Sequence, residues 1–270
     1  MPRYIEIETS RYCNRSCLWC PNSVIRDRHQ QELMEWSLYA DLIGQLTEVD
    51  YDGWLAFHNY NEPLANPRLK QEISFAKGSL PSVKLAIYTN GDLFNEKIYE
   101  YLCSIEVSEI RITRYPNSHD LQQPEKHDLN QLWEWLEKKD FLKNLDWKYV
   151  AARQGDTLEC YFPVKIRIIA PNVNNYYDRG GIISHLSAKK RSKPCKLTSH
   201  SLSVDYLGNV KMCCNILSSN PEHSPYIIGN VYKDRLLAIW NNDFFQKVRE
   251  FHMSCNWSET TICESCIQDI

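Results

Sequence analysis

From its second residue the chain alternates apolar and polar positions, Pro-Arg-Tyr-Ile-Glu-Ile-Glu-Thr over Pro2 to Thr9, with the period of a half-buried strand. The period then lengthens. Tyr39, Leu42, Ile43 and Leu46 recur at helical spacing within Ser37 to Val49, and the apolar run from Trp54 to His58 reads as a buried strand. Asn66-Pro67 marks a second helix with proline at its first position. Lys84 to Tyr88 is a third strand, closed by the turn Thr89-Asn90-Gly91. Ile110 to Thr113 gives a fourth strand, the Trp- and Leu-rich stretch Leu129 to Leu145 one helix, and Val164 to Ile169 a fifth strand. Strands alternating with helices predict an α/β fold: a parallel sheet curled into a partial barrel, with right-handed crossovers laying the helices on its outer face.

Towards the C-terminus the pattern changes. Ser201 to Asp205 and Val210 to Cys214 flank a Tyr-Leu-Gly-Asn turn and read as a β-hairpin with Gly208 in the turn. An amphipathic helix is predicted over Leu236 to Phe251, with Leu237, Trp240, Phe244 and Val248 on one stripe. The chain therefore divides into a barrel over residues 1–185 and a small hairpin-plus-helix module over 186–270.

Charge and composition exclude more than they assign. A net charge of -3 with both signs interspersed offers no basic stripe for nucleic acid. The Lys189-Lys190-Arg191 run reads as a solvated loop, or as a docking patch for an acidic flavodoxin. Hydrophobic residues make up 43% of the chain, enough to bury a full core, yet no apolar stretch is long enough for a membrane span. No sequence feature specifies an oligomeric state. The 11 cysteines are odd in number, and no apolar signal segment opens the chain. Clustered thiols in that setting read as metal ligands, which places the protein in the cytoplasm.

Three of those cysteines, Cys13, Cys17 and Cys20, stand in the run Cys-Asn-Arg-Ser-Cys-Leu-Trp-Cys just after the first strand, at the end where α/β folds place their chemistry. Three thiolates on one loop can hold three irons of a four-iron cluster and leave the fourth open to another ligand. The plainer alternatives are buried small hydrophobes or a zinc knot. A structural zinc site takes four ligands, and this run offers three with no histidine.

Cys-x3-Cys-x2-Cys after a first strand resembles the signature of the radical S-adenosylmethionine (SAM) enzymes. That resemblance implies a partial (β/α)6 barrel, a SAM-binding [4Fe-4S] cluster on Cys13, Cys17 and Cys20, and SAM held at the strand ends. Glu62, in Tyr60-Asn61-Glu62-Pro63, matches the glutamate that holds the methionine ammonium, with Asn61 beside it, although the family's preceding glycines are replaced. The residue type suits the task, because a carboxylate facing an ammonium makes charge-assisted bonds; the alternative is a surface glutamate. Thr89 and Asn90 after the third strand, and Thr113 and Arg114 after the fourth, are placed to meet ribose and carboxylate. Trp19 matches the residue beside the adenine, or simply covers the cluster.

Cys195, Cys213, Cys263 and Cys266 supply four thiolates, which suits one fully ligated auxiliary cluster. Gly208-x4-Cys213 resembles the modules called SPASM and twitch, and four ligands favour the shorter twitch form. Cys255 is an alternative ligand, and zinc an alternative metal.

The islands Cys20 to Val24, His58, Glu62-Pro63, Ile87 to Asp92, Arg179-Gly180-Gly181, Leu207 to Val210 and Cys263-x2-Cys266 are similar to the radical SAM cyclitol dehydrogenases of aminoglycoside biosynthesis. The likeness implies two [4Fe-4S] clusters, a flavodoxin or ferredoxin-type electron donor and a small polar substrate. It also implies hydrogen abstraction by a 5′-deoxyadenosyl radical, with oxidation of a secondary alcohol to a ketone. Arg179 matches the arginine that meets the substrate hydroxyl; its alternative is a turn residue paired with a nearby carboxylate. One departure bears on substrate. Where that family has tyrosine and then glutamate after the hairpin cysteine, this chain has Cys214 and Asn215. Cys214 also opens a second chemistry, because strand alternation turns it away from Cys213, and a pocket-facing thiol can return a hydrogen atom, which makes an epimerase. Peptide modification is a third reading.

Overall fold

The computed structural model describes residues 1–25, 31–116, 128–152, 154–172, 175–186 and 190–266. Ten strands among these form one sheet in the order β10-β9-β8-β1-β2-β3-β4-β7-β6-β5. They are β1 Tyr4–Ile7, β2 Trp54–Ala56, β3 Lys84–Thr89, β4 Glu109–Thr113, β5 Lys148–Ala152, β6 Gly155–Cys160, β7 Lys165–Pro171, β8 Ser201–Val204, β9 Asn209–Lys211 and β10 Ile227–Asn230.

The stretch β8-β1-β2-β3-β4-β7 is parallel throughout, six strands in all. Five are the strands expected from the alternation. The sixth, β8, comes from the C-terminal hairpin and pairs with β1, so the hairpin continues the barrel sheet. Its turn is built as expected: Gly208 takes φ +77, and Asp205 Oδ1 accepts from the backbone N–H groups of Leu207 and Asn209 at 2.9 and 2.8 Å.

The alternation in β1 has a meaning that a half-exposed strand would not give it. Ile5 and Ile7 are fully buried in the apolar core, but Glu6 and Glu8 on the opposite side are buried too, among polar partners. One side of the strand faces the core, and the other a polar interior.

Helices α1 Trp36–Thr47, α2 Leu69–Ser79 and α3 Glu96–Ser104 follow β1, β2 and β3. In α1, Leu38, Tyr39, Leu42, Ile43 and Leu46 are buried, as the helical spacing predicts. α2 begins at Leu69 rather than at Pro67. Asn66 forms a turn first, accepting from Arg68 N at 2.8 Å while its amide donates to Glu72 Oε2 at 2.9 Å.

Two expected helices need correction, and two strands are added. The single helix over Leu129 to Leu145 is two pieces, α4 Leu129–Glu137, opened by a capping box on Asp128 and Gln131, and α5 Asp140–Lys143. β5 and β6 were not foreseen; they fold back antiparallel on β7, and their weak alternation hides them. The helix over Leu236 to Phe251 is also broken, because Asn242 stops α7 Leu236–Trp240 and caps α8 Asp243–Met253, accepting from Phe245 N at 2.7 Å. Trp240 and Val248 of the expected stripe are buried. Phe245 is buried instead of Phe244, which is 43% exposed. One short helix, α6 Leu197–His200, precedes β8.

No helix among the described residues is long and apolar enough to cross a membrane.

Candidate active site

The cysteine loop leaves the end of β1 and is held by the neighbouring strand ends. Cys20 N donates to Cys17 O at 2.9 Å, and Tyr12 O accepts from Glu62 N at 2.9 Å. Arg15 grips Asp92 through two bonds, 2.6 Å from Nε and 2.5 Å from Nη2, and also donates to Tyr115 O at 2.9 Å. Asn14 Oδ1 accepts from Asn90 Nδ2 at 2.8 Å. These ties set three free thiols at the mouth of the sheet. Burial pushes the thiols of Cys13, Cys17 and Cys20 up to about 12, 11 and 11, and each lies in the electrostatic field of another. Binding of iron displaces such protons.

Of the proposed SAM-holding residues, Glu62, Thr89, Asn90 and Arg114 come together. Glu62, 2% exposed, accepts from Thr89 Oγ1 at 2.6 Å and Leu64 N at 3.1 Å through Oε1, and from Asn90 N at 2.8 Å through Oε2. Burial raises its carboxyl above the usual range, and these donors pull it back. An ionised carboxylate offers about four acceptor sites, so these three bonds leave room for a further donor. Arg114 Nη1 donates to Asn90 O at 2.8 Å and lies 3.3 Å from Asp92 Oδ1. Asn61 is braced between Asn59 N and Ser10 Oγ. Thr113 ends β4, half-buried. Trp19 is buried and stacks on Tyr176 with centroids 5.5 Å apart.

The second set of cysteines gathers at the far end of β8 and β9. Cys195 precedes α6, Cys213 follows β9, and Cys263 and Cys266 lie near the C-terminus. The Cys213 thiol lies in the fields of Cys214, Cys263, Cys266 and Cys195, and burial raises it well above its ordinary value. Cys255 lies just past α8 in a left-handed turn at φ +56. Among the described residues no three His, Cys, Asp or Glu side chains are grouped to hold a single metal ion. Four thiolates supply the donor set of a fully ligated four-iron cluster, one sulfur to each iron.

Between the two cysteine sets stands Arg179, in a left-handed turn at φ +55. Its Nη1 donates to Asn215 Oδ1 at 2.5 Å, and its guanidinium lies 5.1 Å from the Tyr177 ring. Tyr60 lies in the field of Arg179, Cys214, Cys20 and Cys213. Tyr60 OH and Arg179 Nε are both buried with no hydrogen-bond partner. Two orphaned polar atoms at one place fit a polar ligand that supplies the missing bonds.

Sequence reasoning missed the polar lining beside this point. Lys211, 1% exposed, donates to Asn59 Oδ1 at 2.8 Å and lies 3.7 Å from Glu8 Oε2. Asn59 Nδ2 bonds Cys214 O at 3.1 Å and Glu6 Oε2 at 3.4 Å. His58 Nε2 is 3.5 Å from Glu6 Oε1. Burial pushes Glu6 and Glu8 up to about 7 and His58 down to about 3. A lysine between Val210 and Met212 in a strand was the readable signal. The expected basic docking run also changes: Lys189 lies outside the described residues, and Arg191 is buried, not solvated.

A cysteine loop at the end of a parallel sheet, beside a carboxylate cradle and a second thiol cluster, defines a class. The fold and the site are similar to those of the radical SAM enzymes, with a C-terminal SPASM-type module. Residues 195–267 match the SPASM iron-sulfur cluster-binding domain. The S-adenosyl-L-methionine-dependent 2-deoxy-scyllo-inosamine dehydrogenase of Niallia circulans is 27% identical over 263 residues, covering 97% of this chain and 91% of that protein. The crystal structure of BtrN with AdoMet and 2-DOIA superposes with a TM-score of 0.74 at 25% identity, covering 99% and 94% of the two chains. The anSMEcpe structure with AdoMet and a Cp18Cys peptide gives 0.59 at 11% identity, covering 100% and 92%, a likeness of fold alone.

Proposed function

We propose that this enzyme oxidises a secondary alcohol of a cyclitol or amino sugar to a ketone. The observation that carries the reading is the pair of orphaned buried atoms, Arg179 Nε and Tyr60 OH, lying between the two cysteine sets. The dehydrogenase named for the relative supports the reaction class.

In this reading Cys13, Cys17 and Cys20 hold the SAM-binding cluster, and Glu62, Asn61, Thr89, Asn90, Thr113 and Arg114 form the cradle for SAM. Cys195, Cys213, Cys263 and Cys266 hold the auxiliary cluster. SAM and the two clusters, when bound, supply hydrogen abstraction and one-electron transfer. Arg179 stays charged, so it cannot take a proton; it orients an alcohol oxygen and favours the alkoxide. Glu6, held near 7 and bridged through Asn59 towards Cys214, is suited to receive the hydroxyl proton. Asn215 stands where an acidic contact is expected, which favours a substrate without an amine at that point. The reading keeps residues 1–185 as barrel and 186–270 as module, a flavodoxin or ferredoxin-type donor and a cytoplasmic setting.

The test is anaerobic turnover with a panel of cyclitols, counting ketone against 5′-deoxyadenosine. Arg179→Met is expected to cut ketone formation about a hundredfold with SAM binding unchanged. Equal ketone formation by that variant overturns the assignment.

One observation favours a second reading. Cys214 lies in the fields of Glu6 and Arg179, on the polar interior, and burial raises its pKa and keeps it as a thiol. A thiol there can return a hydrogen atom to a substrate carbon. Deuterium from D2O in an inverted, unoxidised product, lost in Cys214→Ala, identifies an epimerase instead.

A further inference from the structure

Asn215 touches both halves of the site. Its Oδ1 accepts from Arg179 Nη1 at 2.5 Å, and its Nδ2 donates to Cys266 Sγ at 3.8 Å. The orientation of the amide follows from chemistry, because a guanidinium has only donors, so oxygen must face Arg179 and the NH2 must face the sulfur. A second donor meets the same sulfur. Arg191 Nη1 lies 3.7 Å from Cys266 Sγ and 2.8 Å from Cys266 O. The rest of that guanidinium is tethered, with Nε to Lys193 O at 2.9 Å and Nη2 to Pro194 O at 3.2 Å, and the residue is 5% exposed.

We propose that Asn215 and Arg191 are positioning residues for the auxiliary cluster, giving two N–H donors to Cys266 and raising the reduction potential there, with Asn215 joining that sulfur to Arg179. The inference rests on the reading of Cys266 as an auxiliary ligand. Hydrogen bonds to a ligating sulfur draw charge from it and stabilise the more negative, reduced state. That direction suits a site that has to accept an electron. It also gives a physical reason for asparagine at 215: an acidic side chain could accept from Arg179 but would turn an anionic oxygen, not a donor, toward the sulfur.

The test uses the full chain with Cys13, Cys17 and Cys20 replaced by alanine, so that only the auxiliary site is loaded. Its midpoint potential is measured by EPR-monitored titration. Asn215→Asp is expected to lower the reduced-to-oxidised ratio at the parent midpoint about tenfold, about 59 mV for one electron. Asn215→Leu is expected to lower it less, and Arg191→Lys to shift it the same way. Potentials unchanged in all three, at full iron content, overturn the proposal. Should the variants lose iron, ENDOR on the parent in D2O decides: exchangeable deuterons coupled to the cluster support it, and their absence overturns it. Failure of the underlying reading looks different, because Cys266→Ala would then keep its four irons.

Discussion

Replacing Glu62 by glutamine keeps shape and removes one acceptor oxygen and the charge. Thr89 Oγ1 and Leu64 N share Oε1, and Asn90 N uses Oε2. A glutamine amide does least harm with its NH2 toward Thr89, whose hydroxyl can reverse and accept, but Leu64 N then loses its partner. One buried N–H left unmatched costs about 1–3 kcal/mol, offset in part because a buried charge is gone. The apoprotein is therefore expected to lose about 1–2 kcal/mol, a Tm drop of about 2–8 °C at this chain length. Binding of SAM loses more: a charge-assisted bond to its ammonium contributes about 1.5–3 kcal/mol, so affinity falls about tenfold to a hundredfold. Equilibrium dialysis of SAM against anaerobically reconstituted protein reads the second effect, and thermal unfolding of apoprotein the first. An affinity within about twofold of the parent, with the stability loss present, makes Glu62 a brace between β2 and β3 only, and refutes its role as ammonium partner.

Asp92→Asn weakens the doubly bonded Arg15 clamp, and iron loss from the N-terminal site to a chelator should be about tenfold faster, read by the rate of absorbance decay. Gly155→Ala should destabilise the protein by on the order of 2–4 kcal/mol in urea unfolding, because φ is +138 and the new Cβ would stand 1.9 Å from Ala170 O. Glu8 is held up to about 7 by burial, above its ordinary 4.5. The folded chain then keeps a proton that the unfolded chain has lost, so stability falls as pH rises from about 4.5 to about 7, by at most about 3 kcal/mol from this residue. Glu8→Gln should flatten that slope in urea midpoints measured at pH 5, 6 and 7.

What the sequence makes legible follows local chemistry. The cysteine loop, the Asn-Glu-Pro run at Glu62 and the five strands of the alternation are short-range patterns, each written in consecutive residues. What it hides depends on pairing across the chain. β5 and β6 lack strong alternation and exist as strands because β7 offers them an edge. The helix over Leu236 to Phe251 keeps its period through Asn241-Asn242-Asp243, and only the cap bond from Phe245 N to Asn242 shows that it stops and restarts. Arg191 belongs by sequence to a basic run, but its Nη1 partner lies 75 positions away at Cys266. Glu6 and Glu8 read as the wet side of a strand, and the curled sheet makes that side an interior. The same polar interior brings His58, Asn59 and Lys211 together from strands far apart in the chain.

The central claim is a radical SAM site joined to an auxiliary cluster, and iron and sulfide counting after anaerobic reconstitution tests it most directly. The parent protein is expected to bind about eight irons and the Cys13, Cys17, Cys20 triple-alanine variant about four, with 5′-deoxyadenosine formed from SAM and reductant by the parent alone. About four irons in the parent, with zinc at Cys195, Cys213, Cys263 and Cys266, would contradict the two-cluster account and remove the electron acceptor that dehydrogenation requires.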